Sequence, residues 1–268
     1  ENYYTSNVIG YGLSSGDKNY FIPASKKEEL ELVIKDKKIY THDLKKLLAS
    51  INVQKAHDLM LVDYLINPMH KESISHLLLE NDINSLNRSE LKKLDSDATK
   101  KEIVQRSRFI LDNFSRYYDK LKDDEITELY EKIELPLVKV LSDMEKTGVL
   151  IDDKIISDMK TDINERILLL TKKIYEFAGK EFNINSPKQL GEVLFDDLKL
   201  PAPKNNKSGY KTDVKVLQRL VDKHPIIEYI LKYRKLAKIS STYLDGLLSY
   251  KASDNTIHTI FKQTITRT

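Results

Sequence analysis

The feature that most constrains this chain is a stripe of apolar residues that recurs at helical spacing from Asp153 to about Ala178. Such spacing places the side chains on one face of an amphipathic helix, which must pack against other elements. The stripe consists of Ile156, Met159, Ile163, Ile167, Leu170, Ile174 and Phe177. We interpret it as part of a hydrophobic core and not as a cofactor site.

The first half of the sequence mixes short strand patterns with helical ones. Residues 7–13 and 19–23 predict strands around a turn at Ser15–Asp17, and Lys38–Thr41 predicts another strand. Helices are predicted near residues 25–34, 42–51, 56–66, 72–80, 98–121 and 124–146. The pattern indicates an α+β protein, with an α/β N-terminal domain followed by a mainly α-helical region.

Composition excludes several classes of protein. The 268 residues include no cysteine, which rules out disulfides, thiol catalysis and cysteine-ligated zinc, and which fits a reducing cytosol. No apolar run approaches the ~20 residues of a membrane span, so we expect a soluble protein with no membrane contact. The sequence begins with Glu1 and stops within a β-prone alternation, and we expect it to be part of a longer chain.

Basic residues are concentrated between Pro201 and Ser240. This stretch contains ten lysine and arginine residues against three acidic ones, whereas the whole chain has 44 against 41. A local excess of positive charge in a nearly neutral chain is typical of a surface that contacts a polyanion. A solvated lysine-rich face is the alternative that composition leaves open.

A polar loop precedes the helix that is predicted to begin at Pro187. Ser186 can accept a hydrogen bond from the first turn, and proline at the first helical position lacks an N–H group that would have no partner. Asn183, Asn185 and Ser186 also offer side-chain donors beside the positive end of the helix dipole, which suits a phosphate group. On residue types alone, simple capping of the helix is the favoured interpretation.

The last helix, predicted after Pro225, has an apolar face and a basic face. At about 100° per residue, the apolar face comprises Leu236, Ile239, Tyr243 and Leu247. Arg234 and Lys238 lie on the opposite face, one turn or about 6 Å apart. This spacing is close to that of successive phosphates along one nucleic-acid strand, so the basic face is predicted to contact phosphates.

Five segments of the sequence carry a family resemblance. They are ELPLVKVLSDMEKTGVLID, EFNINSPKQLGEVLF, KSGYKTDVKVLQRL, PIIEYILKYRKLAKISSTYLDGLL and IHTIFKQTITRT. Their order and spacing resemble those of family A DNA polymerases, the bacterial DNA polymerase I group, from about Glu134 to Thr268. In that family this region is the thumb, which grips the primer-template duplex from the minor-groove side, and its approach to the palm.

The resemblance implies a DNA-binding site in the thumb. The residues that match the family's contacts are Asn183, Asn185 and Ser186 at the start of a thumb helix, Lys207, Ser208 and Thr212 at the thumb tip, and Arg234 and Lys238 on the long thumb helix. For the loop before Pro187, the resemblance favours a phosphate contact over simple capping. The implied partner is duplex primer-template DNA, bound without sequence specificity.

The first half resembles, more weakly, the 3′–5′ exonuclease domain of the same family, which implies a ribonuclease H-like α/β fold for residues 1–122. The chemistry of that domain needs four carboxylates that hold two metal ions. The first carboxylate pair would precede Glu1, and Arg108 stands near the position of an expected carboxylate. The resemblance therefore implies an inactive exonuclease-like domain without a metal site, followed by the thumb and the start of the palm in residues 123–268.

The palm and fingers motifs of the family do not occur in this sequence, so we expect no catalytic residue, metal or cofactor within it. The resemblance implies that the whole protein is a DNA-directed DNA polymerase, a nucleotidyltransferase of DNA replication and repair that uses Mg²⁺. It also implies a cytoplasmic monomer that associates with the nucleoid through DNA and with the palm and fingers of its own chain. The alternative is a catalytically inactive nuclease-fold module that serves in protein scaffolding.

Overall fold

The computed structural model describes residues 7–91, 93, 95–202 and 210–265 of the chain. These residues divide into two compact units. Unit 1 contains the chain up to Gly148 and again from His258, whereas unit 2 is the continuous stretch Val149–Ile257. Unit 1 mixes strands with helices and unit 2 is mainly helical, which confirms the predicted α+β class.

Two small sheets lie in unit 1. Strands β1 (Gly10–Ser15) and β2 (Lys18–Pro23) form an antiparallel hairpin in which Gly10 pairs with Pro23. Strand β3 (Ile39–Thr41) pairs in parallel with β4 (Ala56–Asp58). Because the described strands of unit 1 pair only two by two, the ribonuclease H-like fold of this half stays a prediction.

Except for one short helix at Arg88–Leu91, which was not predicted, the helices of unit 1 lie in the predicted helical segments, with bounds that shift by a few residues. They are α1 (Lys27–Ile34), α2 (Leu44–Leu48), α3 (Leu59–Ile66), α4 (Ile74–Glu80), α5 (Arg88–Leu91), α6 (Ser96–Asp123), α7 (Thr127–Leu129) and α8 (Leu135–Thr147). A π-helical turn, Tyr130–Glu134, joins α7 to α8. The predicted domain boundary between residues 122 and 123 lies in the last turn of α6, inside unit 1.

The segment predicted as a helix near residues 56–66 begins as strand β4 and becomes helix α3 at Leu59. Leu59 and Val62 of α3 are fully buried with Phe114 and Leu121 of α6 in the main core of unit 1. An alternation of apolar and polar residues over only three positions cannot be distinguished from a helical pattern. The pairing of β4 with β3 is therefore a tertiary effect that the local sequence does not specify.

The carboxylate of Asp58 joins the starts of α2 and α3. Its Oδ1 atom accepts hydrogen bonds from the backbone N–H groups of Asp43 and Met60, each at 2.9 Å, and its Oδ2 atom accepts one from Leu44 at 2.7 Å. Burial raises the pKa of the Asp58 carboxyl to about 7, although the three N–H donors oppose this shift. Asp58 therefore serves as a cap that two helices share.

After unit 2, the chain returns to unit 1 and is held by a buried ion pair. The Nζ atom of Lys45 on α2 lies 2.6 Å from Oε1 of Glu145 on α8. Lys45 also donates to the backbone carbonyl of Phe261, and Glu145 Oε1 accepts from the N–H of Phe261 at 2.8 Å. A buried ion pair needs such further hydrogen bonds to offset its desolvation, so the pair and the returning backbone depend on each other.

Unit 2 consists of helices and one small strand pair. The helices are α9 (Asp153–Ala178), α10 (Pro187–Gly191), α11 (Val214–Gln218), α12 (Ile226–Lys238) and α13 (Asp245–Tyr250), with π-helical turns at Glu192–Asp197 and Ile239–Leu244. Strand β5 (Val149–Leu150) pairs antiparallel with β6 (Thr256–Ile257), so the two ends of unit 2 lie side by side. Of the helices in the described ranges, none combines the length and the apolar content that a membrane span needs.

The long helix predicted from Asp153 to about Ala178 is confirmed as α9. Asp152 caps its start by accepting from the N–H groups of Lys154 and Ile155. Gly179 ends it with φ of 70°, a left-handed conformation that glycine adopts at little cost. The predicted apolar stripe is buried at Ile156, Ile163 and Ile174, whereas Met159 is 47% exposed.

The π-helical turn Ile239–Leu244 changes which residues face the core after α12. A regular helix at about 100° per residue predicts Tyr243 on the apolar face. In the structure Tyr243 is 55% exposed and Leu244 is 4% exposed. A π-helical turn bonds residues five apart instead of four, which inserts one residue and moves the buried position forward by one. The prediction that Tyr243 belongs to the core is therefore wrong.

Candidate nucleic-acid interface

The loop before α10 is fixed by its own polar side chains. Ser186 Oγ accepts from the N–H of Gln189 at 3.4 Å, which confirms the predicted helix cap. Asn183 Oδ1 accepts from the N–H of Asn185 at 3.0 Å, and Gln189 Oε1 accepts from the N–H of Asn183 at 2.7 Å. These bonds use the acceptors of Asn183 and Ser186 and leave the Asn183 amide NH₂ and the Ser186 hydroxyl hydrogen able to donate.

Asn185 connects this loop to α12. Its Nδ2 atom donates to the hydroxyl of Tyr233 at 3.0 Å, so one of its two N–H bonds is used within unit 2. Neither Tyr233 nor Gln189 was among the residues predicted for this site. Gln189 has a partial sequence signal, because serine followed three residues later by glutamine is the capping-box pattern. In the structure, however, Gln189 accepts from the N–H of Asn183 and not from that of Ser186. Tyr233 has none, because its contact depends on where a loop 48 residues away in the sequence lies.

Arg234 and Thr212, both predicted to bind DNA, contact each other. Arg234 Nη1 donates to the backbone carbonyl of Thr212, and Nη2 donates to Thr212 Oγ1 at 3.3 Å. Thr212 is 5% exposed. Burial lowers the pKa of Arg234, but an arginine keeps its charge at any physiological pH. Arg234 therefore anchors the segment before α11 to α12, and its guanidinium is only partly available to a ligand.

Lys238 is the most open of the predicted contacts on α12. It is exposed at the last residue of the helix, and no described carboxylate forms an ion pair with it. By contrast, Lys232 of the same helix pairs with Glu228 at 3.2 Å. The predicted contacts Lys207 and Ser208 lie outside the described residues.

Two loops of unit 2 are thus tied to consecutive residues of α12. Asn185 of the first loop bonds to Tyr233, and Thr212 of the second bonds to Arg234. The same helix ends at the exposed Lys238. Neutral hydrogen-bond donors and a lysine on a rigid helix can hold phosphate oxygens without any contact to a base edge.

The carboxylates of unit 1 do not gather into a metal site in the part of the chain that the structure describes. No three His, Asp or Glu side chains there form a group that could hold an ion. Asp43 caps α2 by accepting from the N–H of Lys46, and Asp58 is used as described above. Arg108, which stands near an expected carboxylate, forms an ion pair with Asp112 and donates to the carbonyl of Gly16.

Comparisons with known proteins point to one family. Residues 153–268 match the sequence profile described as DNA polymerase family A. DNA polymerase I of Bacillus subtilis (strain 168) is 31% identical over 290 residues, which cover 100% of this chain and 33% of that protein. DNA polymerase I of Geobacillus stearothermophilus is 46% identical over 151 residues, which cover 56% of this chain and 17% of that protein.

A solved structure gives the same result. The POL domain of Pol1 from M. smegmatis, solved in complex with DNA primer-template and dNTP, superposes with a TM-score of 0.74 and 28% sequence identity. The superposition covers 92% of this chain and 44% of that one. The match to the B. subtilis relative covers the whole of this chain. It spans about a third of the length of that protein.

Proposed function

This chain belongs to DNA polymerase family A, and from that premise we propose that unit 2 is a thumb that holds the phosphate backbone of duplex primer-template DNA. The observation that carries the proposal is the pair of ties from two polar loops to Tyr233 and Arg234. These hydrogen bonds connect the loop that carries the donors of Asn183 and Ser186 to α12, the helix that ends at the exposed Lys238. Such contacts position a duplex without reading its sequence.

The solved relative from M. smegmatis supports this assignment because it was captured with primer-template DNA. The basic excess between Pro201 and Ser240 supports it as well, since a thumb must neutralise phosphates. In the whole protein, the palm and fingers would carry Mg²⁺-dependent nucleotidyl transfer in DNA replication and repair. The role of this chain in the whole protein would then be to hold the duplex.

We further propose that unit 1 is a vestigial 3′–5′ exonuclease-like domain. Two-metal hydrolysis needs several carboxylates around one point, and the described residues of unit 1 contain no such group. Asp43 and Asp58 are used as helix caps. The domain would then contribute structure and surface, not chemistry.

The test is fluorescence anisotropy of a labelled primer-template duplex, measured across a salt series. For the 268-residue chain we expect a dissociation constant on the order of 10⁻⁴ to 10⁻⁶ M at physiological salt, as for contacts without base readout. Lys238→Ala should weaken binding by a similar factor for unrelated duplex sequences and lower the salt slope by about one unit. Asn183→Ala should weaken binding and leave the salt slope unchanged, because an amide releases no counterion.

The matched control is Lys232→Ala. Lys232 lies on α12 about 160° around the helix from Arg234, at about 100° per residue, and it already pairs with Glu228. Its loss should leave the salt slope unchanged. An unchanged slope in a folded Lys238→Ala variant would contradict the proposal, as would a strong preference of the wild-type chain for one duplex sequence.

A further inference from the structure

A second basic surface lies in unit 1, far in sequence from the one described above. It surrounds a cavity of about 1030 Å³, just above the range of about 300–1,000 Å³ that is typical of small-molecule sites. Its walls come from α1, from the connection between α2 and β4, and from α8. All of these elements belong to unit 1.

Lysines from a strand pair and from a helix line this cavity. Lys38 and Lys55 directly precede the paired strands β3 and β4, and the N–H of Ile39 donates to the carbonyl of Lys55 at 2.9 Å. Lys139 and Lys146 lie two turns, or about 10 Å, apart on α8. The four ammonium groups are therefore carried by a strand pair and by a helix, both rigid elements.

The charges at the cavity are not balanced. Lys27 pairs with Glu31 at 3.9 Å, and Glu31 also accepts from the N–H of Asn52 at 2.7 Å. Within the described residues, the other four lysines of the cavity form no ion pair. Asp143 is then the one remaining carboxylate among the lining residues. Four ammonium groups against one carboxylate attract an anion.

The floor of the cavity is apolar. This floor comprises the buried Leu44 and Ile51 and the half-buried Leu48 and Leu135, all of which line the cavity. His57 also lines the cavity, with its ring stacked on that of Tyr130 at a centroid distance of 6.0 Å. Burial lowers the pKa of His57, so its imidazole is neutral at pH 7 and adds a further uncharged flat surface. A simple inorganic anion would leave this floor unused.

We propose that this cavity binds a nucleotide, with the phosphates at Lys139 and Lys146 and the flat heterocycle on the apolar floor. An apolar floor with cationic groups at its rim fits a ligand that joins a flat apolar body to a polyanionic tail. Asn52 and Gln54, which also line the cavity, offer amide donors and acceptors to a base edge. This site is independent of the duplex contact proposed for unit 2.

Isothermal titration of the whole chain with ATP in the presence of EDTA tests the proposal, because EDTA removes metal-bridged binding. ATP should bind more tightly than tripolyphosphate, which lacks the heterocycle, and more tightly than adenosine, which lacks the charge. Lys139→Ala with Lys146→Ala should weaken ATP binding by about 10-fold. Because both side chains are exposed, circular dichroism should show an unchanged fold.

Two control variants make the result specific. Lys132→Ala removes an exposed lysine that pairs with Glu128 and does not line the cavity, and it should bind ATP as the wild type does. Lys139→Arg with Lys146→Arg keeps the charge and should retain most of the affinity.

Three results would overturn the proposal. Equal affinity for ATP and tripolyphosphate would show that the floor is not used. A folded double alanine variant with unchanged ATP affinity would place the nucleotide elsewhere. A dissociation constant for ATP weaker than about 1 mM would show that the cavity does not hold a nucleotide.

Discussion

At the scale of single residues, Arg234 shows how one side chain can satisfy a sequence pattern and still act differently. Its spacing from Lys238 predicts a row of phosphate contacts. In the structure its guanidinium holds both the carbonyl and the hydroxyl of the buried Thr212. The residue therefore ties two segments of unit 2 together.

Arg234→Ala should lower the stability of the chain, because it leaves the buried carbonyl of Thr212 without its charged donor. The expected loss in the free energy of unfolding is about 1–3 kcal/mol, measured by urea denaturation. Lys235→Ala, which changes the exposed neighbour, should stay within about 0.5 kcal/mol of wild type. Equal midpoints for the two variants would show that the tie to Thr212 contributes nothing.

Asp58→Asn should also destabilise the chain, although it changes the volume of the side chain very little. The carboxylate accepts three backbone N–H bonds, whereas an amide has one oxygen and turns an NH₂ group toward a donor. A buried N–H without its acceptor costs about 1–3 kcal/mol. Thermal melts followed by circular dichroism measure this cost, and Asp36→Asn at an exposed position is the control.

At the scale of elements, regular helical periodicity predicted the long helix α9 correctly but failed just after α12. The stripe from Ile156 to Phe177 follows a helical period along α9, although Met159 within it is 47% exposed. The π-helical turn Ile239–Leu244 breaks that period, and nothing in the residue types of this turn signals the inserted residue. The cap at Ser186 was predictable because it is local, whereas the ties of Asn185 and Arg234 join positions 48 and 22 residues away.

The shifted register predicts a large loss of stability for a substitution at Leu244 and a small loss at the neighbouring Tyr243. Leu244→Ala removes a side chain that packs with Ile156 and Ile163 and should cost about 2–5 kcal/mol. Tyr243→Ala removes a side chain that is 55% exposed and should cost less than about 1 kcal/mol. Chemical denaturation of the two variants distinguishes the registers, because an uninterrupted α-helix would give the reverse order.

At the scale of the whole molecule, unit 2 is an insertion between two parts of unit 1. Unit 2 has hydrophobic cores separate from those of unit 1, because each of its buried clusters contains residues of unit 2 alone. Its ends meet in the pair β5–β6. This connectivity could not be read from the sequence, since the return of the chain to unit 1 depends on contacts of Phe261 with residues more than 100 positions earlier.

The stretch Val149–Ile257 should therefore fold when it is expressed alone. We expect a helical circular dichroism spectrum and a cooperative thermal transition, because both ends are paired with each other and the core is complete. Ile227→Asp, which puts a charge at a fully buried position, should abolish the transition. A helical but non-cooperative melt of the wild-type unit would indicate that it needs unit 1.

The 268-residue chain should neither extend a primer nor degrade a single-stranded 3′ end with Mg²⁺ or Mn²⁺. Both reactions need carboxylates gathered around metal ions, and the described residues offer no such group. Gel analysis of labelled primers measures both reactions. Metal-dependent degradation that disappears in Asp43→Asn would contradict the vestigial assignment of unit 1.

The return of the chain at His258 also sets an order for folding on the ribosome. Synthesis completes unit 2 at Ile257, whereas unit 1 still lacks the backbone of Phe261 that Lys45 and Glu145 hold. Until that residue emerges, the buried ion pair lacks the two hydrogen bonds to the Phe261 backbone that help to offset its desolvation. Unit 2 can therefore complete its fold before unit 1, although its synthesis begins later, and unit 1 is completed only when the segment that starts at His258 has emerged.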